Sequence, residues 1–445
     1  MAAAVEAASL GFDVAVFEAS RVLGGRARAL PSHLPDGTPV TLDNGQHILI
    51  GAYSETLALM QRVELSPRDH LLALPLALPY PDGSGLRTPG WAARWPAPLD
   101  ALAAIATARG WTWRDRLALV RASLRWQRSG FVCPPAYTVA DVCRGLPSRV
   151  MNELIEPLCV SALNVPAHEA SGAVFLRVMR DALFGRGSHG FSASSLLLPR
   201  CDLSAMFPQA AATWLTKHHG ERSRLHLGSR VTGLRAQASH WVLQIDDHEE
   251  SFDRVIWATS ASAAAQALGQ GADVAEPLRT WVKVTEGLSF TAITTVYAWS
   301  HGLRLSAPML ALREGPAQFV FDRGELDPTT PGLMAFVVSA SQGERDELQA
   351  RVLKQAAQEL NLPALQPVQT VVEKRATFAC LPGVQRPLAH IAPGLWAAGD
   401  YVQGPYPATL EGAVRSGLQA AVGTSADTGV HNEASLQPNE RNPSG

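Results

Sequence analysis

Two stretches of this chain carry side chains suited to an anionic, sugar-bearing ligand. In the first, Val14-Ala15-Val16-Phe17-Glu18 reads as a strand ending in a carboxylate, and Leu23-Gly24-Gly25-Arg26 follows. A carboxylate at the end of the second strand of a βαβ unit can accept both hydroxyls of a ribose. Glycines let the backbone approach a ligand closely, and an arginine beside them can meet a phosphate. In the second stretch, Leu395-Trp396-Ala397-Ala398-Gly399-Asp400 is an apolar strand ending in Gly-Asp, and Pro407-Ala408-Thr409-Leu410-Glu411 opens a helix. Asp400 can accept from a polyol hydroxyl, while the unpaired N–H groups at a helix start favour an anion. The plainer readings are a surface turn at Gly24-Gly25 and an unrelated strand–turn–helix at Asp400. Two such units in one chain favour ligand binding over both.

A third stretch, Leu42-Asp43-Asn44-Gly45-Gln46-His47-Ile48, sets polar groups between short apolar runs, as where a strand edge turns beside a ligand. His47 is read as lying near that ligand; a satisfied structural histidine is the equal alternative. The loop Gly185-Arg186-Gly187-Ser188-His189-Gly190 is a weaker phosphate candidate. The five cysteines are dispersed, without a C-x-x-C pair, which favours reduced thiols, small buried hydrophobes and a cytosolic setting. No metal site is expected.

These groups need elements to hold them. Residues 2–10 read as an amphipathic helix stopped by Gly11, and 13–18 as a parallel strand buried on both faces. Together they are the first helix and second strand of a dinucleotide-binding half whose first strand and Gly-x-Gly-x-x-Gly turn are missing. A glycine just before Met1 would lie 18 residues ahead of Glu18, near the usual spacing of about 20. We expect that strand and turn to be encoded in frame upstream of Met1.

At 445 residues and 47% apolar, the chain has room for several domains with cores, and its net charge of −2 gives no general affinity for nucleic acid. Glu6 interrupts the N-terminal apolar stretch, so no signal peptide is expected, and no apolar run reaches the roughly 18 residues of a membrane span. Composition and pattern divide the chain into 1–65 (first part of the dinucleotide domain), 66–194 (a mostly helical insert facing substrate or membrane), 195–275 (second part), 276–389 (a substrate domain with an antiparallel sheet), 390–425 (third part) and 426–445 (a disordered tail). In the insert, Trp111–Arg128 has helical period, with Arg114, Arg121, Arg125 and Arg128 on one side and Leu117, Val120 and Leu124 nearer another. Such a helix reads either as a membrane-surface element or as a solvated face packed on a core, and the second is favoured. Further helices are expected from Glu153 to Ala162, from Ser171 to Phe184, from about Leu203 to Leu215 and from Glu344 to Leu360.

On the residues Val16-Phe17-Glu18-Ala19, Leu23-Gly24-Gly25-Arg26-Ala27 and Ala398-Gly399-Asp400, the chain resembles the FAD-dependent amine oxidase and phytoene desaturase superfamily from Met1 to about Ala421. Asp43–His47, Glu156–Asn164, Pro199–Ser204 and Gly404–Ala413 make it most similar to the hydroxysqualene dehydroxylases within that group. The resemblance implies an α/β, amine-oxidase-like fold: a Rossmann-like FAD-binding domain, first strand missing, with an inserted α+β substrate domain. It implies FAD as cofactor, with Glu18 on the adenosine ribose, Gly24, Gly25 and Arg26 along the pyrophosphate and flavin, and Val231 offering backbone to adenine. Gly399 and Asp400 would meet the pyrophosphate–ribityl region, Thr409 and Leu410 the flavin, and Gly45 and Gln46 would also lie at the cofactor. The implied reaction is reduction of hydroxysqualene to squalene, with His47 as candidate acid for hydroxyl departure. Implied partners are an isoprenoid substrate, the membrane periphery and upstream squalene-pathway enzymes. A carotenoid-type desaturase, a flavin amine oxidase and a non-catalytic remnant binding lipid or a partner are the alternatives.

Overall fold

In the computed structural model, residues 1–426 are described except 93, 94, 96, 97, 238, 239, 271–275 and 363; the expected tail lies, beyond residue 426, outside the described residues. The alanine-rich helix Ala2–Ser9 buries Ala2, Ala4, Val5 and Ala8, and Gly11 leaves it at φ +93°. It packs against the helix Leu410–Ala426, where a Cβ at Gly417 would lie 3.0 Å from Ala3 N. Small residues on both sides therefore allow the close approach.

The next strand, Val14–Glu18, runs parallel to Ser223–Leu227, with Phe17 opposite His226 and their rings stacked at 4.8 Å. A second parallel pair joins Val255–Trp257 to Leu395–Ala397, whose other edge takes His390–Ala392 antiparallel. Among the described residues no strand links the two parallel pairs. This corrects the expected two-sided burial of residues 13–18: all five strand residues are only partly buried, because the strand walls a cavity. A meander of Val231–Gln237, His240–Ile245 and His248–Phe252 sits beside these pairs.

A five-stranded sheet runs in the order Met309–Ala311, Phe319–Asp322, Leu333–Ser339, Phe290–Trp299, Gln366–Phe378. Within it, Ile293–Trp299 pairs antiparallel with Leu333–Ser339. Alternation decides its two faces. Val296, Ala298, Met334, Phe336 and Val338 pack under the helix Arg345–Glu359, while Tyr297, Trp299, Leu333, Ala335 and Val337 join the main core. Both faces being covered, Leu333–Ser339 reads as an unbroken apolar run, and each fully buried large side chain contributes roughly 1.5–3 kcal/mol relative to exposure.

The insert is helical but not wholly so. Pro75 divides the apolar run at 71–79 into Leu71–Leu74, which pairs with Leu196–Pro199, and Ala77–Pro79, which pairs with Gly85–Arg87. The helices Leu99–Thr107, Trp113–Arg128 and Gly172–Phe184 follow, and Thr112 and Thr138 both start helices with reciprocal capping boxes. Expected as a helix from Glu153, the next segment is a π-turn at Met151–Ile155 followed by an α-helix at Glu156–Leu163, closed by Asn164 at φ +53°. The helix expected to run unbroken to Leu215 is two, Leu203–Met206 and Pro208–His219, because Pro208 cannot supply the N–H that a continuous helix needs. No described helix is long and apolar enough to cross a membrane.

Candidate functional site

Eight of the twelve residues singled out above line a single cavity of about 1950 Å³: Glu18, Gly24, Gly25, Arg26, Val231, Gly399, Asp400 and Leu410. Small-molecule sites usually hold about 300–1,000 Å³, so this one has room for an extended, dinucleotide-sized ligand. Its walls include Val14–Phe17 from one parallel pair and Val255–Thr259 from the other. Glu18 and Asp400, 382 positions apart in the chain, therefore share one slot.

The glycine turn is shaped for that slot. Gly24 has φ +112°, and a Cβ there would meet Ala27 O at 2.2 Å; Gly25 has φ +59° and open space around it. Only glycine suits the first position without moving backbone. Glu18 Oε1 accepts from Ser20 N at 2.7 Å, and Glu18 O accepts from Ser229 N at 3.0 Å, which orients the carboxylate at the strand's end. Arg26 ties distant elements together: Nη2 donates to Asp400 Oδ1 and Nη1 to Ala376 O on the long sheet strand. Gly399 donates to Ser416 Oγ at 2.8 Å, and a Cβ at Gly399 would meet the Tyr401 ring at 2.5 Å.

Four predicted residues stand off the cavity lining. Thr409 caps the final helix, its Oγ1 accepting from Gly412 N at 3.0 Å, so its visible work is to hold the helix start beside Leu410. Gln46 is engaged elsewhere: Oε1 accepts from Arg323 Nη1 at 3.1 Å. Asn44 Nδ2 donates to Glu373 Oε2 at 3.0 Å, and Asp43 faces Arg323 at 3.5 Å while Oδ1 accepts from Leu203 N at 2.8 Å. The polar stretch 43–46 is thus a seam between the first domain segment and the antiparallel sheet. Gly45 approaches Thr295 and His47 within that seam.

His47 Nδ1 lies 2.8 Å from Gly45 O. A carbonyl only accepts, so the ring proton sits on Nδ1 and Nε2 is left as an acceptor. Burial pushes the imidazole pKa down; the Gly45 bond opposes this and the Arg26 charge adds to it. In the neutral ring Nε2 carries no proton, so the acid role expected for His47 requires the imidazolium form, which burial disfavours.

Three contributors went unforeseen. Arg323 is 1% exposed and reaches both Asp43 and Gln46. Ser416 braces Gly399. Asn164 donates to Thr291 Oγ1 at 2.8 Å and Thr377 Oγ1 at 3.1 Å and accepts from Ala340 N, pinning the insert to the sheet. A signal existed only for Asn164, whose αL tolerance at a helix end is readable.

The donor set fits a flavin dinucleotide. The cavity's lining holds two carboxylates, a glycine turn with an arginine, and the start of a helix, groups that suit hydroxyls and phosphates.

Comparisons with known proteins agree. Residues 1–423 match the family described as flavin containing amine oxidoreductase. The chain is 27% identical to a hydroxysqualene dehydroxylase from Rhodopseudomonas palustris, covering 95% of this chain and 94% of that one. It is 25% identical to another from Sinorhizobium fredii, with 95% and 94% covered. Among solved structures, an oxidoreductase from Methanosarcina mazei superposes with TM-score 0.69 at 15% identity, covering 95% of this chain and 97% of that chain. Putrescine oxidase bound to putrescine superposes with TM-score 0.66 at 13% identity, 96% of each chain covered. These neighbours share the α/β, amine-oxidase-like fold of this chain, and the chain belongs to the flavin containing amine oxidoreductase family.

Proposed function

We propose that this protein is an FAD-dependent oxidoreductase that converts hydroxysqualene to squalene. The observation that carries the reading is the convergence of Glu18, Arg26 and Asp400 on one elongated cavity. The choice of reaction is supported by relatives named hydroxysqualene dehydroxylase that align with this chain over 94% of their length.

Glu18 accepts from the adenosine ribose, which is what selects FAD over shorter flavins. Val231, at the first residue of its strand, offers backbone to adenine. Gly24 and Gly25 let the pyrophosphate approach the backbone, Arg26 offsets its charge, and Gly399 and Asp400 meet the ribityl chain. Leu410 lines the cavity at the start of the last helix, an end that favours an anionic ligand. A reduced flavin, when bound, supplies hydride to the carbon that loses the hydroxyl. The overall change replaces C–O by C–H and releases water, so one proton must reach the departing oxygen.

His47 can deliver that proton only from its imidazolium form, which burial confines to pH below the ordinary histidine range. If it does, turnover falls as pH rises through that lower, acidic range, and His47→Gln lowers the acid-limb rate by about 10²–10⁴-fold. A pH profile that is the same for parent and variant removes His47 from the role. The function itself is tested by incubating flavin-loaded protein, hydroxysqualene and a reductant without oxygen. Squalene is the expected product; a more unsaturated product, or unchanged substrate with fully reduced flavin, overturns the proposal.

A further inference from the structure

The helix Trp113–Arg128 is apolar on two sides. Asp115, Leu119, Ala122 and Trp126 lie on the side turned into the core, where all four are buried. Trp113, Leu117, Val120 and Leu124 fall within an arc of about 60° on the opposite side. This outer stripe stays open: Trp113 is 67% exposed, Leu124 is exposed, and Leu117 and Val120 are half-buried. The helix does pack on the core, and it does so by the other face.

Arginines run along one flank of the stripe. Arg114, Arg121, Arg125 and Arg128 are exposed, and the Arg114 guanidinium sits 5.7 Å from the Trp113 ring centroid. The neighbouring helix Leu99–Thr107 packs on this one and exposes Leu99, Leu102 and Ala106 from successive turns, with no charge among them. Just ahead of it, Trp91 is 61% exposed and meets Trp95 edge-on at 4.9 Å.

Charge identifies the occupant. Residues 84–150 contain ten arginines and three aspartates, a balance of +7 in a chain whose total is −2. Two of those aspartates, Asp100 and Asp115, are buried, and the third, Asp141, caps the Thr138 helix. The outer face of the insert is therefore cationic around an apolar, tryptophan-bearing stripe. A second copy meeting it through a two-fold contact would set these arginines against their own image. An anionic bilayer accepts both components: acyl chains take the leucines and tryptophans, and headgroup phosphates take the guanidinium groups.

We propose that the outer faces of Leu99–Thr107 and Trp113–Arg128 dock this protein on an anionic lipid bilayer surface. The docking stands apart from the substrate proposed above, so failure of either leaves the other intact.

Sedimentation with vesicles tests it. The full chain is mixed with vesicles of phosphatidylcholine alone or of phosphatidylcholine with phosphatidylglycerol, and bound protein is measured against added salt. Binding is expected with phosphatidylglycerol, weakening as salt rises and much lower without it. The Trp113→Ala/Leu124→Ser variant should bind about tenfold more weakly, and Arg121→Glu/Arg128→Glu likewise. All four positions are exposed, and unchanged melting of each variant excludes a folding defect. Brominated acyl chains should quench the parent's fluorescence more than that of Trp113→Phe. Parent protein left in the supernatant with phosphatidylglycerol overturns the proposal. So do variants that pellet like the parent, and so does a dimer dissociated by the same substitutions.

Discussion

Glu18→Ala is expected to weaken FAD binding about a hundredfold while leaving FMN binding nearly unchanged. Glu18 ends the Val14–Glu18 strand at the wall of the cavity, its carboxylate held by the Ser20 N–H. A ribose diol donating to that carboxylate makes hydrogen bonds to a charged group, each contributing roughly 1.5–3 kcal/mol. Losing them amounts to about 3 kcal/mol or somewhat more, and about 1.4 kcal/mol is tenfold in affinity. FMN has no adenosine and so has nothing to lose at this position. Fluorescence-quenching titrations of both flavins against parent and variant provide the measurement. Equal losses for FAD and FMN, or none for either, would move the adenosine away from Glu18.

The second large effect concerns stability. Asp43→Leu should destabilise the fold by about 3–5 kcal/mol, because it strands the buried Arg323 guanidinium. An arginine cannot shed its proton to escape burial. Arg323→Met strands a carboxylate instead, and a carboxylate can neutralise itself, so its penalty should shrink in acid. The parent protein already leans that way. Burial pushes the Asp43 pKa up to about 6 from its ordinary 3.8, and the neighbouring Arg323 charge and the Leu203 N–H only partly counter it. The folded state therefore binds this proton more tightly than the unfolded chain. The resulting stabilisation is complete below about pH 3.8 and is lost as pH rises through about 6, an amount of roughly 3 kcal/mol. Melting curves of parent and Asp43→Asn between pH 4 and about 7 should show the parent losing stability relative to the variant. Parallel pH dependences would mean that Asp43 keeps an ordinary pKa.

What could be read in advance shares a physical basis. Gly24 and Gly399 have no room for a Cβ, and Gly25 holds a positive φ that favours glycine. Glu18 and Asp400 were legible because a carboxylate closing an apolar strand has few structural reasons to be there. An antiparallel sheet within 276–389 was legible from alternation, while the pairing of Ile293–Trp299 with Leu333–Ser339 comes from the fold. A capping box such as that at Thr138 depends on side chains three residues apart, so distance in the fold does not enter.

Where the outcome turned on distant partners, local pattern was insufficient. Gln46 looked like a cofactor group until Arg323, 277 positions away, took its carbonyl. His47 was read as near the ligand; in the fold it feels the Arg26 charge, and its ring turns back onto Gly45 O. The Trp113–Arg128 helix has two apolar stripes of similar strength, and periodicity alone cannot rank them. Packing against the Leu99–Thr107 helix and the core ranks them, burying Trp126 and leaving Trp113 outside.

Residue chemistry and short-range spacing thus pointed to a flavin and to eight residues of the cavity's lining. Which polar groups reach that cavity, and which are consumed as struts between segments hundreds of residues apart, was settled by chain folding. Hydrogen bonds and burial are made with whatever neighbour arrives, and in this protein those neighbours come from the opposite end of the chain.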